Sequence, residues 1–277
     1  MKWFASATFL TATLLGLQPA ASQQITITLN QFFKQLLATS DHGSLPTALE
    51  SARVFDQIPS SSPRAITEAL PDIDRALRHD NPDIRKYAIV ALICIDQRSD
   101  SADLLLPVVP SLLRRLDDPD PQITAQAVSA IGSMKPKPPS YIIPVFVQFL
   151  STKNAKTLAG PAVVFALVRL ASDQAAVGQA IARFMQENDL NVELRVDTLN
   201  ALALRSMHND QIIQQIIQKL APSESLEVRL AAINALESIG PHAVQMGREQ
   251  LAEVAQNNEE SPQVRNAAKH ALQSPQE

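Results

Sequence analysis

The segment IRKYAIVAL at residues 84–92 returns as VRLAAINAL at residues 228–236. Both segments read as an aliphatic residue, Arg, two variable residues, Ala, an aliphatic residue, one variable residue and then Ala-Leu. Residues 194–202 and 264–272 fit the same frame with one substitution each, for example Thr198 at the first Ala. A motif that recurs in this order indicates a repeated structural unit.

Two weaker copies complete the series. They begin at Ile123 and Ala159, where Thr124 and Gly160 take the place of the arginine. The six copies begin 34 to 39 residues apart, a period typical of helical solenoids. Because Pro161 removes a backbone donor in the third copy, we expect a kink or a change of curvature there.

Each repeat is predicted to contain two helices. If the first aliphatic residue of a copy is position 0, apolar residues at positions 0, 4, 7 and 8 form one face of a helix. A second amphipathic segment precedes each copy, and acid- and proline-rich turns such as Asp80-Asn81-Pro82 favour helix starts between the two. No segment alternates with a period of two, so the chain is predicted to be all-α. The preceding helices cover approximately residues 66–78, 103–116, 140–151, 174–187, 208–221 and 241–256.

The pattern resembles the HEAT-repeat family, in particular its short bacterial, phycobilisome-lyase-like type. The resemblance covers roughly residues 64–273 and rests on the motif D-x-x-[VIL]-R-x-x-A-x-x-A-L in the second helix of each repeat. It implies a right-handed α-solenoid, an armadillo-like superhelix of about six helix pairs. In that family the second helices line the concave face, which places the helices that begin near the six motif starts on the inner side.

Three regions are expected along the chain. Residues 1–22 read as a cleaved signal peptide, with positive Lys2, an apolar run and a small-residue cleavage site after Ala21 or Ser22. Residues 23–63 form an N-terminal helical cap, with helices at Leu29–Ala38, begun by Thr28 or Asn30, and at Leu45–Ile58. The array occupies residues 64–277. We therefore expect an exported protein, periplasmic or secreted, without stable membrane insertion after signal cleavage.

Composition excludes several kinds of chemistry. The chain has 277 residues, a formal charge of −4 and a pI near 5.8, so it lacks the basic footprint of a nucleic-acid-binding protein. Only seven residues are Gly, and no phosphate-binding glycine motif is present. The single cysteine, Cys94, lies in an apolar segment and is predicted to be a buried small hydrophobe. The five histidines show no metal-binding spacing, so no cofactor and no metal are expected.

The arginine that follows position 0 in four copies has two interpretations. Arg85, Arg195, Arg229 and Arg265 could form a ladder that binds an anionic ligand. Alternatively, each pairs with acidic residues of its own turn or of the next one. The second interpretation is favoured because the turns are rich in Asp and Glu.

A candidate partner-binding stripe follows positions 2, 6 and 9 of the second helices, away from the core face. The stripe is apolar or small through the fourth repeat and polar at the end. It marks a protein or peptide site if exposed, whereas tight curvature could instead bury it, or its polar end could simply be the C-terminal cap. The candidates are Lys86, Val90, Phe165, Val196, Asn200, Leu230 and Asn234.

The sequence thus predicts a non-catalytic scaffold that holds a protein or peptide, of unknown identity, on its concave face. No nucleophile, acid–base pair or metal motif supports an enzyme. The alternative, implied by the resemblance, is a bilin- or tetrapyrrole-handling protein, lyase-like or chaperone-like, against which the export signal argues. A structural spacer is a third possibility.

Overall fold

The computed structural model describes most of the array and part of the N-terminal region. The predicted signal peptide and most of the helix predicted at Leu45–Ile58 lie outside the described residues. The described residues are 28–39, 51, 54–56, 58, 61–97, 101–135, 137–171, 173–187, 189–203 and 209–273.

Helices follow one another along the described ranges, in which no strand occurs. Helix α1 spans Leu29–Thr39, and six helix pairs follow it. The first members of the pairs are α2 (Pro63–Leu77), α4 with α5 (Ser101–Leu105 and Val109–Arg114), α7 (Ile142–Phe149), α9 (Ala175–Met185), α11 (Asp210–Gln218) and α13 with α14 (Pro241–Met246 and Arg248–Gln256). The second members are α3 (Pro82–Asp96), α6 (Pro121–Ser133), α8 (Ala159–Ala171), α10 (Val192–Leu202), α12 (Leu226–Ile239) and α15 (Pro262–Gln273). Short 3-10 turns occupy Leu106–Val108, Arg115–Asp117 and Lys153–Lys156.

Local side-chain caps explain where the helices begin. Thr28 and Gln31 cap α1 reciprocally, each side-chain oxygen accepting from the other residue's backbone N–H at 3.3 and 3.0 Å. Of the two predicted caps, Thr28 is therefore right and Asn30 is wrong. Second helices also begin with side-chain caps: Asn191 accepts from Leu194 N–H at 2.8 Å at the start of α10, and Ser225 accepts from Val228 N–H at 3.4 Å at the start of α12.

The chain divides into two compact units. The first contains the residues up to Ile123 together with 133–138, and the second contains residues 124–132 and those from Pro139 onward. In the first unit α1 packs on α2, and α2 packs on α3. The ring of Phe32 contacts those of Phe55 and Tyr87, with centroids 5.5 and 6.0 Å apart, which joins the N-terminal segment to α3.

The second unit repeats one packing step. Helix α8 packs on α10, α10 on α12 and α12 on α15, so the second helices lie side by side. The first helices α7, α9 and α11 contact one another in the same order. Apolar residues at position 0, such as Val228 and Val264, are fully buried. The all-α solenoid of repeated helix pairs that the sequence predicts is confirmed.

The third repeat departs from the motif for a steric reason. A Cβ atom at Gly160 would lie 2.1 Å from the carbonyl oxygen of Ala155 and 2.6 Å from the ring of Phe184, so the arginine that four other repeats carry has no room here. Pro161 falls in the first turn of α8, whose N–H groups have no acceptor within the helix. The lost donor, the reason for expecting a kink at Pro161, therefore has no cost there.

Within the described part of the chain, no helix combines the length and the apolar character needed to cross a membrane.

Candidate partner-binding surface

The recurring arginines connect successive loops. Arg85 donates through Nε and Nη2 to the two carboxylate oxygens of Asp118, both at 2.8 Å, and through Nη1 to the carbonyls of His79 and Asp80. The side chains of Arg85 and Asp118 are 8% and 0% exposed. Each charge is thus buried but satisfied by the other, as a buried ion pair requires.

The same arrangement recurs in the second unit. Arg195 donates to the Leu190 carbonyl at 2.9 Å and to Glu224 of the next loop at 2.8 Å. Arg229 donates to the Leu220 carbonyl and pairs with Glu260 of the loop after it. For these three arginines the pairing with acidic loop residues is therefore confirmed, and the carboxylate belongs to the next loop in each case. Arg265 differs, because it donates to the side-chain amide oxygen of Asn258 at 3.5 Å. Arg85, Arg195 and Arg229, which we term the interloop arginines, hold repeats together.

A lysine performs this role in the third repeat, one of the two repeats that lack the arginine. Lys156, from the loop before α8, donates to Asp189 at 2.8 Å and to Glu187 at 3.0 Å, both in the next loop. These hydrogen bonds raise the pKa of Lys156, and the hydrogen bond from Lys156 lowers the pKa of Asp189. The connection between loops is thus preserved even where the motif is not.

The two candidate residues of the first unit, Lys86 and Val90, differ in their contacts within the chain. Lys86 lies 3.0 Å from Asp120 and 3.9 Å from Asp83, so its ammonium group already has protein partners. Burial opposes ionisation of Asp120, but hydrogen bonds from Lys86 and from the backbone N–H groups of Gln122 and Ile123 outweigh it and lower its pKa. Val90 is half-buried on α3. Of these two candidates, Lys86 already pairs with carboxylates of the same chain.

The five candidate residues of the second unit all reach the surface, although other positions of the stripe, such as Pro161 and Val168 on α8, are buried. Phe165, Val196 and Leu230 are half-buried, and Asn200 and Asn234 are exposed. Val196 and Leu230 share position 2 of the frame, and the two asparagines share position 6. Because α10 packs directly on α12, equivalent positions of these helices lie on neighbouring ridges.

Sequence reasoning missed two apolar residues on the same helix faces. Val192 is 45% exposed and Leu226 is 38% exposed, each one helical turn before the stripe residue of its helix. We call the four aliphatic side chains the α10–α12 patch: Val192, Val196, Leu226 and Leu230. The signal was present in the spacing, because residues four apart on a helix share a face.

A row of carboxylates borders this patch and was also missed. Glu193 and Glu227 are exposed, and each follows an aliphatic residue of the patch in sequence. Asp197, one turn after Glu193, is half-buried, and its pKa is raised by burial and by the nearby Glu193 carboxylate. The pKa of Glu227 is lowered because its carboxylate accepts from its own backbone N–H and from Ser225. We call Glu193, Asp197 and Glu227 the acid row.

The described residues include the one cysteine of the chain and a small cavity. The thiol of Cys94 is half-buried, and burial together with the Asp56 carboxylate raises its pKa to about 11. Among these residues no cluster of three or more His, Cys, Asp or Glu could hold a metal ion. The cavity beside Arg195 and Lys219 has a volume of about 10 Å³, which is at most the room that one water molecule needs.

Comparison with known proteins agrees with the class of fold. The family model described as the vitellogenin TPR domain matches residues 198–275. None of the curated proteins compared with the chain matches it. The repeated helix pairs make the chain a helical-repeat protein of the all-α class.

Two solved structures are among those similar to this chain. A crystal structure of an engineered protein shares 19% identity, covering 88% of this chain and 94% of that one, with a TM-score of 0.34. A designed armadillo repeat protein in complex with the peptide (KR)4 shares 20% identity, covering 88% of this chain and 98% of that one, with a TM-score of 0.37.

Proposed function

We propose that the chain is a non-catalytic binding scaffold of the HEAT type, and that it holds a protein or peptide segment on the face that the second helices form. The observation that carries this proposal is the α10–α12 patch. Its aliphatic side chains stay 38 to 45% exposed at Val192 and Leu226, whereas the apolar residues at position 0 of the same helices, Leu194 and Val228, are 6% and 0% exposed. An apolar surface left open beside a complete core is characteristic of an interaction site.

The polar surroundings suit an extended segment. Asn200 and Asn234 occupy equivalent positions on adjacent helices, and a side-chain amide both donates and accepts hydrogen bonds. Such groups can satisfy the backbone of a bound chain while the apolar patch takes up its side chains. Phe165 on α8 extends the candidate surface by one more repeat.

Site-specific photo-cross-linking tests where the partner binds. A photoreactive amino acid is placed at Asn200 or Asn234 of the full chain, and the matched control positions are Gln179 on α9 and Gln214 on α11, which are also exposed. In the source organism's cell fractions, cross-links to one partner band are expected from the second-helix positions and not from the first-helix positions. Equal cross-linking from all four positions, or from the first helices alone, contradicts a partner on this face.

Export and the N-terminal cap form part of the same proposal. Residues 1–22 carry the features of a signal peptide, residues 23–63 would shield the first end of the array, and residues 64–277 would form the array exposed outside the cytoplasm. A reporter enzyme active only outside the cytoplasm, fused after residue 40, is expected to become active. The matched fusion with Leu10→Arg and Leu14→Arg is expected to stay inactive, and equal activity of both fusions argues against export by this segment.

A further inference from the structure

We propose that the partner segment on the α10–α12 patch is a basic one, in which cationic side chains alternate with apolar side chains. This inference rests on the proposed function and specifies the chemistry of the partner. It follows from the way in which the acid row borders the apolar patch.

The apolar patch and the acid row run side by side along α10. On α10, the patch residues Val192 and Val196 are each followed by an acid, Glu193 and Asp197, so an apolar ridge and an acidic ridge run side by side along the helix. On α12, the patch residue Leu226 is likewise followed by an acid, Glu227. A segment that lays apolar side chains on the first ridge therefore presents its neighbouring side chains to carboxylates.

The cations of these helices do not neutralise the acid row. The guanidinium groups of Arg195 and Arg229 bind Glu224 and Glu260 in the following loops. On α15 the imidazole of His270 lies 2.8 Å from Glu237, a carboxylate that does not belong to the acid row. The surface thus keeps an excess of negative charge next to exposed aliphatic side chains.

Asp197 shows the consequence of that excess. Its carboxylate is half-buried and feels the charge of Glu193, so burial and repulsion both disfavour its ionised form. A cation placed between Glu193 and Asp197 offsets the repulsion between the two carboxylates and favours the ionised form of Asp197. A basic segment gains from this relief, while an acidic segment adds a further like charge.

Fluorescence anisotropy with three peptides tests the inference. The short peptides share their Leu and Gly positions and differ in the remaining positions, which are all Lys, all Gln or all Glu. The full chain is expected to bind the Lys peptide most tightly, with an affinity that falls as salt is added, and to bind the Glu peptide least. Glu193→Gln with Asp197→Asn is expected to weaken binding of the Lys peptide about tenfold, as two partly exposed charge contacts allow.

A control variant removes the same number of negative charges from another part of the protein. Glu249→Gln with Glu253→Gln removes two exposed carboxylates from α14, a first helix, and is expected to leave the affinity unchanged. Equal weakening by both double variants, or no weakening by either, overturns a basic partner on the α10–α12 patch. Loss of binding in Val192→Ser with Leu226→Ser locates the apolar contacts.

The outcomes separate this inference from the proposed function. If the Gln peptide binds as tightly as the Lys peptide and the serine variant abolishes both, the scaffold function stands and the basic partner is wrong. If no peptide binds while cross-links from Asn200 and Asn234 persist, the basic segment is again wrong and the binding face stands. If neither peptides nor cross-links are found, both proposals fail.

Discussion

Arg85 and Asp118 lie 33 residues apart in sequence and face each other through two hydrogen bonds of 2.8 Å, with both side chains almost fully buried. Arg115 donates to the same carboxylate at 3.1 Å. The carboxylate of Asp118 therefore pairs with two arginines, Arg85 on α3 and Arg115 in the 3-10 turn just before Asp118. The stacking of repeats depends on such polar contacts as well as on the apolar core.

Replacing Asp118 by Asn is expected to destabilise the protein strongly. The substitution leaves the buried guanidinium of Arg85 without a counter-charge, and breaking a buried pair in this way costs about 3–5 kcal/mol. Urea unfolding followed by circular dichroism at 222 nm measures the change. The matched control is Glu68→Gln, which breaks a pair with Arg64 whose side chains are 88% and 53% exposed and is expected to cost about 0–1 kcal/mol. Similar losses in the two variants contradict a structural role for the interloop pair.

Glu224 is expected to make stability depend on pH in the acid range. Burial opposes its ionisation, but hydrogen bonds and charges from Lys219 and Arg195 outweigh burial and lower its pKa below the ordinary 4.5. Its ionised form therefore contributes stability above the ordinary value, and this contribution is lost as the pH falls through the lowered pKa. The unfolding free energy of the wild type should exceed that of Glu224→Gln near neutral pH, and the gap should close on acidification. A gap that is constant with pH contradicts the assignment.

Cys94 is expected to react slowly in the folded protein. Its pKa of about 11 leaves a thiolate fraction at pH 8 of roughly one in a thousand, and the thiolate is the reactive form. Reaction with a chromogenic disulfide reagent at pH 8 should therefore be about a hundredfold slower in buffer than in urea. Asp56→Asn removes the neighbouring carboxylate and should raise the rate in the folded state. Equal rates in buffer and in urea would show that the thiol is not shielded.

Gly160→Ala is expected to destabilise the third repeat although alanine favours helices. The helix preference contributes up to about 1 kcal/mol, whereas a methyl group 2.1 Å from the Ala155 carbonyl oxygen forces the backbone apart at a cost of about 1–3 kcal/mol. Thermal unfolding measures the net effect. Gly247→Ala is the control, because its methyl group would meet only side-chain atoms of Ile217 and Leu236, at 3.2 Å or more. An unchanged midpoint for Gly160→Ala would contradict the steric explanation.

The α10–α12 patch is expected to contribute little to folding. Val192→Ser and Leu226→Ser remove side chains that are already 45% and 38% exposed, and surface changes of this kind alter stability by about 0.5 kcal/mol or less. Val228→Ala, at a fully buried position of α12, should cost more than 1 kcal/mol by leaving a cavity. Urea unfolding of the three variants provides the comparison. A large loss in the serine variants would mean that these residues serve packing and not binding.

Much of the fold could be predicted because helix packing is local in this chain. Position 0 of each copy predicts a buried residue, and Ile84, Val228 and Val264 are all fully buried. The second helix at residues 262–273 could be placed from the motif at 264–272 alone. The candidate site was only partly predictable. Positions 2 and 6 of the motif predicted Val196 and Asn200 as candidates. Val192 and Asp197 were missed, because Val192 precedes the first residue of the motif and Asp197 occupies a position that the motif leaves variable.

The sequence alone determined the repeat period, the all-α class and the approximate position of each helix pair, because these depend on the apolar periodicity and capping groups of neighbouring residues. The single helices predicted at 103–116 and 241–256 are wrong, since each segment is divided into two helices. Only the tertiary structure decided that Arg85 pairs with Asp118, that Lys86 is occupied by Asp120 and that Val192 and Leu226 stay exposed. Those facts join residues about one repeat apart or depend on how closely two helices approach. The sequence pattern indicates which side chains tend to be buried. The packing of the next repeat decides whether a given side chain is actually buried.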